Sequence, residues 1–195
     1  MNSNILYDKN YKMKRVIFFV MAACTALLNA GCEPYVVSEQ ELISLQYKTT
    51  DGKVLELDPE NFNPAIAANK YGDLGEILFC GNLTTIHASA FENQHRLTMV
   101  DMPLGLSDIG ERAFYNCNNL ETVHIPWTVI RIGNYAFYNC NNLKEVYFYG
   151  RPPVLGSMTF SDRASESMVI YVPKEYYGYY QTGWGDKYSK CIIPF

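Results

Sequence analysis

Asp101 and His124 are a carboxylate and an imidazole set 23 residues apart, a spacing that recurs along the chain and would make them neighbours on one face. A carboxylate so placed can orient an imidazole, but a hydrolase also needs a nucleophile and an oxyanion hole. Thr122 is the hydroxyl closest to the pair, and GLSDIG at Gly105 to Gly110 misses the nucleophile-elbow spacing by one residue, so catalysis is not expected there. Glu76 and Asp101 would sit one repeat and two residues apart, about 8 Å by sheet geometry, a separation that inverting glycosidases use. An exposed, shallow sheet offers no burial to raise either carboxyl's pKa, and solvated surface charge is the better reading.

Cys117 and Cys140 occupy the same position in successive repeats. Their side chains should run parallel, which suits disulfide torsions poorly, so buried thiols are expected. Together with Cys80 and Cys191 they form no CxxC pair, and His87 and His95 have no Cys, Asp or Glu at a metal-ligand spacing. No metal and no cofactor is called for. The Tyr176 to Tyr180 cluster with Trp184 could stack on sugars, but Tyr and Trp also close the open end of a stacked fold, and the closing role is preferred.

The elements that position these groups come from self-similarity. IGERAFYNCNNLETVHIP and IGNYAFYNCNNLKEVYFY are nearly one segment offset by 23 residues. Phe91, Phe114, Phe137 and Phe160 keep that offset, as do Leu97, Leu120 and Leu143, then Val100, Val123 and Val146, then Ile86, Ile109, Ile132 and Leu155. A partial unit at Leu74, Ile77, Phe79 and Leu83 precedes the complete ones. Within each unit Leu120-x-x-Val123-x-Ile125 reads as a short strand with Val and Ile inward. Pro103 and Pro126 end it, and Gly110, Gly133 and Gly156 mark a tight turn. A single unit cannot bury its apolar face, so units must stack and be capped.

The outward strand positions then form columns about 4.8 Å apart. These are Glu76, Met99, Thr122 and Glu145; Leu78, Asp101, His124 and Tyr147; and Cys80, Pro103, Pro126 and Tyr149, with Trp127 at the edge. Such a face is where repeat proteins usually bind partners, and Glu76, Met99, Asp101, Thr122, His124, Trp127, Glu145, Tyr147 and Tyr149 are the candidate contacts, the alternative being that they only cover the sheet. Tyr147, Tyr149 and Trp127 lying exposed in one plane would point to a glycan in place of a protein. At the front, Ile43, Leu45 and Tyr47 alternate up to Asp51-Gly52, with Leu55 and Leu57 beyond, which predicts a β-hairpin cap. At the back, Met168 to Val172 predicts a strand and Pro173 a helix start, with Tyr176, Tyr180, Trp184 and Tyr188 recurring every four residues.

The AFYNCNNLxxVxIP pattern, with Ile-Gly closing each turn, resembles the BspA-type leucine-rich repeats of bacterial surface proteins, abundant in Bacteroidota. PPVLGSMTF followed by IYVP and a Tyr/Trp-rich tail resembles the usual ending of that family. The likeness runs over about residues 42 to 195. It implies an α+β repeat fold: a short right-handed leucine-rich-repeat solenoid of 23-residue repeats, with an N-terminal β-hairpin cap and a C-terminal strand and helix cap. It also implies binding to a host matrix protein or another cell-surface protein, possession of an accessory glycan-binding role being the alternative, and no catalysis.

Lys9, Lys12, Lys14 and Arg15 precede the apolar run Val16 to Leu28, which has the form of a signal peptide and is too short to span a bilayer. Leu28-Asn29-Ala30-Gly31-Cys32 resembles a lipobox, in which the Cys becomes the lipidated first residue; here Asn29 stands three places before the Cys, where that pattern usually has Leu. The expected organisation is a signal at 1–31, a tether at 32–41, an N-terminal cap and linker at 42–73, repeats at 74–160 and a C-terminal cap at 161–195. The resemblance implies a cell-envelope protein anchored to the outer membrane through Cys32, on the surface or the periplasmic face. Removing residues 1–31 takes four basic groups and one acidic group from totals of 16 and 20, leaving a formal charge of −7. A chain this acidic is unsuited to nucleic acid, and it meets a membrane only through the lipid.

Overall fold

The computed structural model describes residues 43–161, 168–184, 188 and 190–195; the expected signal, the tether and Cys32 lie outside them. In chain order the strands of the front half are β1 (Ile43–Thr49), β2 (Ile66–Tyr71), β3 (Gly75–Phe79), β4 (Thr85–Ile86), β5 (Leu97–Asp101) and β6 (Asp108–Ile109). The back half adds β7 (Thr122–Ile125), β8 (Arg131–Ile132), β9 (Glu145–Phe148), β10 (Val154–Leu155), β11 (Val169–Val172) and β12 (Ile192–Pro194), with a helix α1 (Tyr177–Gly183) before the last.

Each repeat supplies one strand to each of two sheets. The longer strands form an eight-stranded sheet in the order β12-β11-β9-β7-β5-β1-β3-β2, and the two-residue strands form a parallel sheet in the order β10-β8-β6-β4. In the longer strands Val100, Val123 and Val146 stand in register and are fully buried, as alternation predicts. Between the sheets Phe91, Phe114, Phe137 and Phe160 stack with ring centroids 4.8, 5.1 and 5.5 Å apart and interplanar angles of 4, 6 and 11°. Gly133 shows why the turn tolerates no side chain: a Cβ there would lie 2.6 Å from the Glu111 nitrogen of the preceding rung.

The turn after each Phe needs a left-handed residue, and Asn93, Asn116 and Asn139 take it with φ of 61, 62 and 65°. Their amides then link rung to rung, with Asn116 Nδ2 donating to Asn93 Oδ1 at 2.6 Å and Asn139 Nδ2 to Asn116 Oδ1 at 3.1 Å. Cys117 and Cys140 are buried free thiols, each donating to the Phe carbonyl one rung back (Phe91 and Phe114) at 3.1 Å.

The front cap differs from the expected hairpin in where its strands pair. The Asp51-Gly52 turn is present, with Gly52 at φ 66° and Thr49 Oγ1 bonded to Lys53, but residues 53–57 form no strand. Both edges of β1 are already taken, because it lies antiparallel between β3 and β5. Leu55 instead plugs the core, its N–H donating to the Tyr47 hydroxyl at 3.2 Å. The hairpin of this cap is β2 with β3, so part of the expected linker is strand. At the back β11 continues the sheet in parallel from β9, and α1 folds over the end with Tyr180 fully buried and its hydroxyl donating to the Gly150 carbonyl at 2.9 Å.

Candidate functional site

The outward face of the eight-stranded sheet carries a side-chain column that follows strict register: Lys70, Glu76, Gln46, Asp101, His124, Tyr147 and Tyr171. The inserted β1 corrects the expected placement of Glu76 and Leu78. Gln46 stands between Glu76 and Asp101, so the two carboxylates are two strand spacings apart, about 10 Å, and Glu76 shares Asp101's column in place of Met99's. Glu76 is paired with Lys70 at 3.0 Å. Leu78 aligns with Ser44 and Ala68 and is buried at 2% exposure. Met99, Thr122 and Glu145 do stand side by side in the second column, with Lys48 beyond Met99.

Toward the C-terminal end the column is aromatic. His124 stacks on Tyr147 at 4.7 Å and 8°, and Tyr147 on Tyr171 at 4.6 Å and 11°. Tyr149 flanks them, its hydroxyl sharing a 2.8 Å hydrogen bond with His124 Nδ1, and Phe195 meets the Tyr149 ring edge-on at 6.0 Å. The Tyr147 hydroxyl donates to Glu145 at 3.3 Å, and burial together with that carboxylate and Tyr171 pushes its pKa up to about 12. Because the rings lie face to face, they present edges and hydroxyls outward; their faces are spent on each other.

Asp101 and His124 are neighbours as expected, but no bond joins them. The imidazole is engaged by Tyr149, and Asp101 Oδ1 is buried with no hydrogen-bond partner among the described residues. Burial pushes the carboxyl up to about 6 and holds the imidazole down at about 4. This overturns the expectation that the face is too open to raise a carboxyl's pKa. At neutral pH the pair is therefore an ionised Asp beside a neutral His, with Thr122 in the adjoining column, opposite Met99. His87 and His95 are both exposed.

Trp127 lies off the column in the loop after β7. It is 63% exposed, with its backbone packed so closely on Gly150 that a Cβ there would come within 2.7 Å of Trp127 Cα. The condition for a flat sugar platform is thus unmet, since Tyr147 and Tyr149 are half-buried and ring-stacked while Trp127 stands apart. Gln46, Tyr171 and Phe195 were not among the sequence candidates. Tyr171 continues the series Asp101, His124, Tyr147 into the cap strand, and that extrapolation would have found it; Gln46 belongs to no repeat. A separate open groove of about 460 Å³ lies at the cap between Pro152, Pro153 and Val154 on one side and Trp184 and Tyr188 on the other. The Trp184 indole donates to the Pro153 carbonyl at 3.0 Å.

Stacked 23-residue units with two strands each, a buried Phe ladder and capped ends define a leucine-rich-repeat solenoid. The chain belongs to the BspA type leucine rich repeat family, whose model matches residues 67–178 in six copies. Repeats of this family serve protein interaction or scaffolding and are typically non-catalytic. Among solved structures, a leucine-rich repeat protein from Bacteroides ovatus ATCC 8483 is similar at 22% identity and a TM-score of 0.40, over 72% of this chain and 41% of that one. This chain thus spans less than half of that protein's length. A comparison with curated proteins finds no match.

Proposed function

We propose that this chain is a non-catalytic lipoprotein of the cell envelope, anchored through Cys32, that takes a protein partner on the strand face running from Gln46 to Tyr171. The observation that carries the reading is the half-buried aromatic column His124, Tyr147 and Tyr171. Rigid rings with polar edges supply contact area at little entropic cost, as anchors of protein interfaces do. A sugar ring would need an exposed aromatic face, and only Trp127 among the sequence candidates favours that second reading.

The test is surface binding of the chain to a panel of immobilised matrix proteins, with Tyr147→Ala and Trp127→Ala in parallel. Loss of binding with Tyr147→Ala alone supports the protein-binding face. Loss with Trp127→Ala alone, on glycosylated targets only, would move the reading to glycans. Retained binding in both would refute the face as the site. Anchoring is tested separately by protease treatment of intact cells beside a Cys32→Ala variant: shedding of the variant supports the lipid, and equal retention sinks it.

A further inference from the structure

Five carboxylates of the described residues, Asp51, Glu76, Glu92, Asp108 and Glu121, each have a Lys or Arg nitrogen within 3.0 Å. All are pairs at the solvent boundary, where such contacts contribute little. Asp101 is the inverse case. It is buried enough for its pKa to rise strongly, and its Oδ1 has neither water access nor a bond from any described residue.

The groups that face it explain why. On β1, Gln46 stands opposite and brings no charge, while Lys48 stands opposite Met99, one diagonal away, and forms no ion pair with Asp101. On β7, His124 is turned to the Tyr149 hydroxyl and held neutral. Beyond β1, Glu76 is already matched by Lys70; beyond β7, Glu145 accepts from Tyr147. The folded chain therefore bears an unbalanced carboxylate in the middle of the face, a cost that no contact among the described residues offsets.

We infer that Asp101 is the receptor for a lysine or arginine side chain of the partner, seated between Gln46 and His124 with its aliphatic stem along Met99 and the aromatic column. The inference rests on the strand-face reading and names the chemistry that face selects. A Lys or Arg fits both halves of the site, because its stem covers apolar surface while its head pairs with the carboxylate. A cation held against the half-exposed carboxylate balances a charge that nothing among the described residues balances, so the charge costly to the free chain becomes a source of specificity when the partner binds.

The probe is a random linear-peptide library displayed on phage, selected against the full chain and followed by solution affinities of synthetic winners. Wild type, Asp101→Asn and Tyr147→Ala are compared, each checked by circular dichroism for a native spectrum. The expected result is winners that share one Lys or Arg, bind Asp101→Asn about ten-fold or more weakly, and weaken equally when that base is replaced by norleucine. Winners that weaken with Tyr147→Ala but carry no common base, or that bind Asp101→Asn as well as wild type, overturn the inference and leave the strand-face reading standing. Winners indifferent to both substitutions, or no enrichment at all, overturn both.

Discussion

Replacing Asp101 with Asn should stabilise the free chain at neutral pH, the opposite of what a structural carboxylate would do. Burial moves the Asp101 carboxyl from an ordinary 3.8 to about 6. At about 1.4 kcal/mol for each pH unit between those values, the ionised form costs the fold about 3 kcal/mol. Between pH 3.8 and 6 the folded chain holds a proton that the unfolded chain has released, so stability from this group falls as pH rises through that window. The whole penalty is present at pH 7 and nearly gone at pH 4. His124 works the other way. Its value drops from 6.5 to about 4, so on acidification the unfolded chain takes up a proton that the folded chain refuses, and stability is lost by a similar amount as pH falls.

The two windows overlap, and in the wild type their slopes largely cancel. Asp101→Asn should gain up to about 3 kcal/mol at pH 7, gain little at pH 4, and show a steeper acid loss left by His124 alone. His124→Gln should leave the Asp101 slope exposed, with stability rising as pH falls from 6 to 4. Urea unfolding followed by tryptophan fluorescence at pH 7, 5.5 and 4 measures all three chains. Asp51 and Asp108, whose values are lowered chiefly by hydrogen bonds from Arg96 and Ser107 respectively, lose stability in acid in every variant and drop out of the differences. An Asp101→Asn chain less stable than wild type at pH 7 would show that the carboxylate has a structural partner, and a gain that is the same at pH 4 would show that its ionisation is not the source; either result refutes the reasoning.

Gly133→Ala drives a Cβ to 2.6 Å from backbone of the preceding rung, which cannot give way as a side chain could. It should cost about 1–3 kcal/mol or more and lower the melting temperature by roughly 5–10 °C, whereas Gly178→Ala, with nothing within 4 Å, should not; equal melting of the two refutes the close-stacking account. For the thiols, a maleimide reagent should label exposed Cys80 in the native chain and reach Cys117 and Cys140 only in denaturant. Rapid native labelling of either would contradict their burial, and failure to label them in denaturant without reductant would reveal a disulfide.

What could be read from the sequence was whatever the 23-residue period enforces, because residues one repeat apart meet the same neighbours. The Phe91 to Phe160 stack, the Val100, Val123 and Val146 ladder and the tight turns at Gly110, Gly133 and Gly156 all follow from that rule. The Asn93, Asn116 and Asn139 ladder obeys the same period, but a recurring Asn suits a solvated loop as well as a left-handed turn, so recurrence alone does not reveal its backbone. The misplaced features share a different cause. A strand outside the repeat has no periodic constraint on its partner, and the Asp51-Gly52 turn fixes where the chain reverses but not which edge β1 joins. By entering between β3 and β5 it separates Glu76 from Asp101 and puts an uncharged Gln46 beside that carboxylate. The repeat therefore set the spacing of the outward columns, while β1, entering from outside the repeat, left the half-buried Asp101 with no partner for its Oδ1 among the described residues. If the face takes a partner as proposed, that departure is what tells one rung from the next, since a perfectly periodic column would offer the same rung throughout.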